Sequence, residues 1–213
     1  MFGTDNNPSG RVLNEEEISA AGAATVPARE TAVRLSELRV RQLDASDLPA
    51  VARHLLQLGP LDRGARFLGH PCDAAIAGYV RGIDPSRTVL IGAFAPSDRM
   101  VGLAEAHPTM SPHTVEVAVS IDPALRRCGL GQRLVARALA VAFARGMQSA
   151  EFVFAPDNFA LAGLVQALGG RIIAPGYASI DRSADRVKSE AALAARVNQP
   201  PHVKPTAAAG ADA

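Results

Sequence analysis

The sequence predicts a mixed α/β fold, and three observations carry that prediction. Apolar residues recur at alternate positions in some stretches and at three-to-four spacing in others, the periods of strands and helices. Taken in order, these stretches read βααβββαβαβ between Leu35 and Asp181. The middle strands follow one another through short turns, which makes that part of the sheet antiparallel, and the later strands alternate with helices as βαβ units do.

Local signals justify each element. RLSELRVRQLD (34–44) alternates as a strand. ASDLPAVARHLLQLG (45–59) opens with the capping candidates Ser46 and Asp47, carries apolar residues at helical spacing and stops at Gly59-Pro60. Residues 62–84 read as two short helices broken at His70-Pro71. TVLIGAFA (88–95) and MVGLAEAH (100–107) flank the turn Pro96-Ser97-Asp98-Arg99 as a hairpin, and HTVEVAVSID (113–122) is the next strand. A helix over 129–146 stops at Gly146 and leads to the strand SAEFVFAP (149–156). DNFALAGLVQALGG (157–170) is a capped helix, and RIIAPGYASID (171–181) supplies one or two closing strands.

Composition sets the frame. With 213 residues, 48% of them apolar, the chain can build one substantial core. We expect a flexible N-terminal tail over 1–34, a single domain over 35–183 and an Ala/Pro-rich tail over 184–213. Lys and Arg number 22 against 21 Asp and Glu, a balance that argues against a nucleic-acid binder relying on a basic face. No apolar run approaches the roughly 20 residues of a bilayer span, and MFGTDNNPSG does not read as a secretory signal. Cys72 and Cys128 form neither a metal spacing nor a disulfide framework, so a reducing, cytoplasmic setting without a bound metal is expected.

The densest signal is DPALRRCGLGQRLVARALA (122–140), a strand end, a basic glycine-spaced turn and a helix start in succession. The first N–H groups of a helix lack intrahelical partners, and the macrodipole places about half a positive charge there. Glycine at 129 and 131 would let an anion approach the backbone, and Arg126 and Arg127 add charge, so the expected ligand is a phosphate or pyrophosphate. A Walker loop would need Lys-Ser/Thr where Gln132-Arg133 stand, and a dinucleotide fingerprint would need a third glycine.

The arrangement V-x-V-x-I-D-P-x-x-R-R-x-G-L-G-Q-R-L resembles the acyl-CoA-binding motif of the GNAT N-acetyltransferase superfamily. That family's Q/R-x-x-G-x-G/A is met by Arg126, Gly129 and Gly131. FAPDNFALAGLVQALGG is similar to the family's following strand and helix, and LRVRQLDASDLPAVARHL to its first strand and helix. The resemblance implies a mixed, mostly antiparallel central sheet of six to seven strands, helices on both faces, and a splay between strands 115–121 and 149–155. It implies acetyl-CoA as cosubstrate, with Val119 and Ile121 contacting pantetheine. Arg126, Arg127, Cys128, Gly129, Gly131 and Gln132 would cradle the pyrophosphate, and Asn158 would face the CoA arm. The implied partner is a primary amine, on a small molecule or a protein lysine, with no nucleic acid or membrane involved and a homodimer left open.

Acetyl transfer needs a neutral amine, and an ordinary lysine is ionised at pH 7. Glu116 is the candidate base: it shares its strand face with the small residues Ala118 and Ser120, and its frame resembles that of bacterial protein lysine acetyltransferases. Glu105 on the preceding strand is a second candidate, whose pKa a cross-strand neighbour would raise. Many family members carry a tyrosine as thiolate acid where this chain has Val165, so water, a substrate proton or another donor such as Tyr177 must serve. The same valine suits the alternative function, a non-catalytic acyl-CoA-binding sensor. RFLGHP (66–71) resembles a segment that lines the family's acceptor groove, although Arg63 and Arg66 read first as solvated helix charges. His107 and His113 read as polar residues bracketing a loop, and Cys128 as a small thiol at a variable loop position.

Overall fold

The computed structural model describes residues 34–182. Apart from Arg34, the two expected tails lie outside the described residues, and so does the boundary at residue 183. The strands are β1 (Arg39–Gln42), β2 (Val89–Phe94), β3 (Met100–Pro108), β4 (Thr114–Ile121), β5 (Ser149–Val153), β6 (Arg171–Ala174) and β7 (Tyr177–Asp181). The helices are α1 (Leu48–Leu56), α2 (Pro60–Phe67), α3 (Asp73–Arg81), α4 (Leu130–Ala144) and α5 (Phe159–Ala167). Seven strands form one sheet in the order β1-β2-β3-β4-β5-β7-β6. The β4–β5 junction is parallel, and the other pairings are antiparallel.

Two apolar layers hold the helices to the sheet. On one face α4 turns Leu130, Leu134, Val135, Ala138, Leu139 and Ala142 inward at helical spacing, against Val115 and Val117 of β4 and Phe152 of β5. On the other face Val51 and Leu55 of α1 and Ile76 and Val80 of α3 pack on Leu90 and Leu103. Burial of each such side chain contributes on the order of 2 kcal/mol. The strand faces therefore have assigned directions. Odd positions of β4 belong to the α4 layer, while Leu103, and with it Glu105 and His107, belongs to the α1–α3 layer.

Two expectations for the start of the domain are corrected. Residues 34–38 are not strand: Leu35–Glu37 form a 3₁₀ turn, because the Glu37 carboxylate folds back to accept the Arg34 N–H at 3.2 Å. Nor does Ser46 begin the first helical segment. Asp44 does so, accepting the Ser46 N–H at 2.8 Å while the Asp47 carboxylate accepts the Asp44 N–H at 3.1 Å.

The β4–β5 junction shapes the site. Its register covers only Thr114↔Ser149, Val115↔Ala150 and Glu116↔Glu151. Beyond Glu116, β4 continues to Ile121 while β5 stays paired with β7 as far as Val153↔Tyr177. The two strands part, and the expected splay lies where the resemblance places it.

Candidate active site

β4 delivers the chain from this gap straight into the anion loop. Asp122 caps the turn Pro123–Leu125 by accepting the Ala124 N–H at 3.0 Å, and residues 126–129 then lie exposed before α4 begins. Arg127 and Gly129 have φ of 61° and 87°. Among the described residues, and beyond its own chain neighbours, no atom lies within 4 Å of where a Gly129 Cβ would sit, so the space above that backbone is open. The first helical hydrogen bond runs from Arg133 N–H to Gly129 C=O at 3.0 Å, leaving the N–H groups of Leu130, Gly131 and Gln132 without partners in the helix. No side chain caps this end, and its first turn carries no acidic residue. The N-terminus of a 15-residue helix is thus presented bare beside the gap, an arrangement that suits a diphosphate.

The remaining motif residues surround this point. Asp122 N–H bonds to Val101 C=O, and Thr114 C=O accepts from Thr109 N–H, so even positions of β4 turn their backbone toward β3. Odd positions, among them Val119 and Ile121, turn theirs toward the gap. The Ile121 carbonyl there accepts from Arg126 Nε at 3.1 Å, and Arg126 Nη2 pairs with Asp62 of α2 at 2.7 Å. Cys128 Sγ donates to Leu125 C=O at 2.8 Å. Gly131 is helical and has a packing role: a Cβ there would come within 3.1 Å of Leu164 Cδ1 on α5. Asn158 caps α5, its Oδ1 accepting from Leu161 N–H at 3.1 Å. Val165 is fully buried in the α4 layer, and Tyr177 stands on β7, where a hydrogen bond to Glu151 pushes its phenol pKa up.

The opposite sheet face carries a second group of polar residues. Thr88 Oγ1 lies 3.4 Å from His107 Nδ1, His107 pairs in register with Glu116, Glu116 with Glu151, and Glu151 with Ser179. These residues form a polar row that starts just ahead of β2 and crosses β3, β4, β5 and β7, with Glu116 exposed at the point where the gap opens. Behind the row sits a buried cluster. Arg66 Nη2 donates to Glu105 Oε1 at 2.6 Å and to Tyr79 Oη at 2.8 Å. Tyr79 O–H donates to Glu105 Oε2 at 2.7 Å, and His107 Nε2 lies 2.9 Å from Tyr79 Oη and 3.1 Å from Glu105 Oε2. Burial pushes the Glu105 carboxyl pKa up, but the Arg66 charge and the His107 and Arg66 hydrogen bonds outweigh it and hold the group down at about 2. Burial also raises the Tyr79 phenol, reinforced by the Glu105 charge.

This cluster corrects three expectations. Glu105 is not raised toward neutrality but is held well below the ordinary carboxylate range, because the Arg66 guanidinium lies against it. Arg66 is not a solvated helix charge: its side chain is 9% exposed. Arg63 is likewise largely covered, donating to the carbonyls of Leu56 and Leu58 and to Asp73. His107 lies on β3, as the strand over 100–107 predicts, but it joins the buried cluster instead of serving as a polar residue that brackets the loop. Tyr79, and a buried His54 whose Nε2 meets Ser120 Oγ at 2.8 Å, were missed by sequence reasoning. Among the described residues no group of three or more His, Cys, Asp or Glu is arranged to hold a metal, and no helix is long and apolar enough to cross a membrane.

A pocket of about 450 Å³ opens beside His107, lined by Gly78 and Gly82 at the end of α3, by Asp84, Arg87 and Thr88, and by His107 itself.

An open, mostly antiparallel sheet whose one parallel junction parts beside a glycine-spaced helix N-terminus defines the fold class of GNAT acetyltransferases. The chain belongs to that family: the description Acetyltransferase (GNAT) family matches residues 51–169. Solved structures share the fold. The GNAT domain of S. lividans PAT has a TM-score of 0.56 at 18% identity, covering 68% of this chain and 90% of that one. A phosphinothricin acetyltransferase from Sinorhizobium meliloti, solved with AcCoA, has a TM-score of 0.54 at 18% identity over 68% and 88% of the two chains. The acetyltransferase yncA from Salmonella typhimurium, solved with its cofactor acetyl-CoA, has a TM-score of 0.54 at 16% identity over 69% and 96%. No curated protein matches the chain.

Proposed function

We propose that the chain is an acetyl-CoA-dependent N-acetyltransferase that modifies a primary amine by direct attack on the thioester. One observation carries the reading: the bare helix N-terminus at 126–132 stands at the mouth of the β4–β5 gap, with a carboxylate, Glu116, where that gap begins. Family membership makes acetyl-CoA the cosubstrate, and it supplies the activated acetyl group. Arg126, Arg127, Cys128, Gly129, Gly131 and Gln132 would hold its diphosphate, with the open space above Gly129 admitting the phosphate oxygens. Val119 and Ile121 would offer backbone groups to pantetheine once Arg126 leaves the Ile121 carbonyl for the diphosphate. Asn158, with Oδ1 engaged in its cap, keeps its amide N–H groups for the CoA arm.

Glu116 serves the amine: its exposed carboxylate draws in the ammonium and takes the proton. With Val165 buried and Tyr177 made a weaker acid by Glu151, the proton for the departing thiolate comes from the attacking nitrogen itself. Glu116→Gln should lower kcat by about 10²–10⁴-fold while the stabilisation by coenzyme A in a thermal-shift titration stays at the wild-type value. Turnover that survives the substitution would remove Glu116 from the mechanism. Coenzyme A that gives no shift even in the wild-type protein would remove the enzyme reading as a whole.

A further inference from the structure

We propose that the pocket beside His107 holds the head group of the acceptor, and that this acceptor is a free diamino acid of the lysine or ornithine type. The inference rests on the acetyltransferase reading above and names its second substrate.

The argument starts from the protons of the buried cluster. Glu105 is ionised and can only accept hydrogen bonds. The Tyr79 hydroxyl has one proton, which is spent on Glu105 Oε2 at 2.7 Å. The Tyr79 oxygen already accepts from Arg66, so the 2.9 Å contact with His107 Nε2 requires the imidazole to donate, as does the 3.1 Å contact of the same nitrogen with Glu105. His107 is therefore held with its proton on Nε2. In the neutral ring the unprotonated nitrogen is Nδ1, on the side of Thr88, and both residues line the pocket. In that state Nδ1 accepts the Thr88 hydroxyl through a long bond of 3.4 Å, which a ligand donor can replace, and the same pocket is lined by Asp84, whose carboxylate also accepts, and Arg87, whose guanidinium only donates.

Two acceptors and a cationic fork lining one pocket match an α-amino-acid head. Its ammonium can donate to His107 Nδ1 and Asp84, and its carboxylate can take the two parallel N–H groups of Arg87. Asp84 also accepts from Ser86 N–H and Oγ–H, which fixes the turn that carries it. The volume of about 450 Å³ falls within the range of small-molecule sites, and Gly78 and Gly82 leave one wall without side chains.

The sheet sets the length of the acceptor. Neighbouring strands lie about 4.8 Å apart, so the distance from the pocket, over β2 and β3, to Glu116 on β4 is roughly 5–10 Å. The three- or four-methylene chain of ornithine or lysine spans such a distance, bringing the ω-amine to Glu116 at the mouth of the gap. On reaction Glu116 takes one proton from the ω-ammonium, and the free amine forms the C–N bond. The C–S bond then breaks, the second N–H proton passes to the thiolate sulfur, and Glu116 releases its proton to water.

The test is thiol release from acetyl-CoA with four acceptors: L-lysine, L-ornithine, cadaverine and a lysine-containing peptide blocked at both ends. We expect kcat/KM for L-lysine or L-ornithine to exceed that for cadaverine and for the peptide by at least about tenfold, the effect of one charge-assisted hydrogen bond. Arg87→Ala, a change at an exposed side chain, should reduce the ratio of amino acid to cadaverine by about the same factor, mostly through KM. Asp84→Asn, which keeps the turn, should also lower that ratio. A peptide or cadaverine used as well as the amino acids, or a ratio untouched by Arg87→Ala, would overturn the assignment while leaving the acetyltransferase reading intact. If none of the four is acetylated, calorimetry with L-lysine on the coenzyme A-bound protein decides: no heat of binding also overturns it. Absence of coenzyme A binding would instead count against the underlying reading.

Discussion

Replacing Arg66 by leucine should expose what the buried cluster contributes. Glu105 is fully buried, and in the variant its Oε1 loses the Arg66 donor while Oε2 keeps Tyr79 and His107. The carboxyl is held at about 2 against an ordinary value of 4.5. At 1.36 kcal/mol per pKa unit that difference corresponds to about 3 kcal/mol, the lower end of the roughly 3–5 kcal/mol expected when one partner of a buried ion pair is removed. Urea unfolding at pH 7 should show a loss of this size. The pH dependence then carries the sign. In the wild type the folded pKa of Glu105 lies below its unfolded value, so its contribution is present above about pH 4.5 and is lost as pH falls toward 2. In Arg66→Leu, burial without the cation puts the folded pKa above the unfolded one, so protonation relieves the penalty and the deficit should shrink between pH 7 and pH 5. Arg66→Leu combined with Glu105→Leu should recover most of the loss. A single variant within about 0.5 kcal/mol of wild type, or a deficit that grows at pH 5, would refute the reasoning.

Other consequences follow directly. Gly129→Val places a branched side chain at φ 87°, a strain of about 1–2 kcal/mol, and fills the open space where the diphosphate is expected. Calorimetry should show coenzyme A affinity reduced at least about tenfold, and unchanged affinity would dissociate the loop from the ligand. Gly170→Ala sets a Cβ 2.4 Å from Val165 Cγ1 and 2.7 Å from Ile180 Cγ1. It should destabilise by about 1–3 kcal/mol in urea, with a midpoint equal to wild type arguing against the tight seat of α5 on β7.

The two halves of the site differ in how far the sequence reveals them. The half proposed for the cosubstrate is built from backbone: a strand end, a turn and a helix start within about a dozen consecutive residues, each with its own signal. Gly129 had to be glycine for its positive φ, and the residues that follow had to begin a helix. The gap between β4 and β5 was implied by resemblance alone, because nothing in residues 114–121 or 149–153 marks where two strands cease to pair. Errors at the start of the domain are of the same kind. Glu37 and Asp44 act through carboxylates that fold back on neighbouring N–H groups, which hydrophobic alternation does not register.

The half proposed for the acceptor is built from side chains that meet only in three dimensions. Arg66 on α2, Tyr79 on α3 and Glu105 and His107 on β3 come from three elements, and Arg66 and Glu105 are 39 positions apart. Periodicity assigns Arg66 to a polar helix face because arginine usually lies there, and only the burial of Glu105 beneath it reverses that assignment. The reversal has a chemical consequence. A solvated Arg66 would leave Glu105 free to titrate and His107 free to choose its tautomer, whereas the buried pair fixes both. Under the acceptor assignment proposed above, a face that keeps one imidazole proton on Nε2, next to a pocket with charges of both signs, would distinguish acceptors. On that reading acceptor choice is to be sought in these long-range pairs rather than in the 126–132 loop.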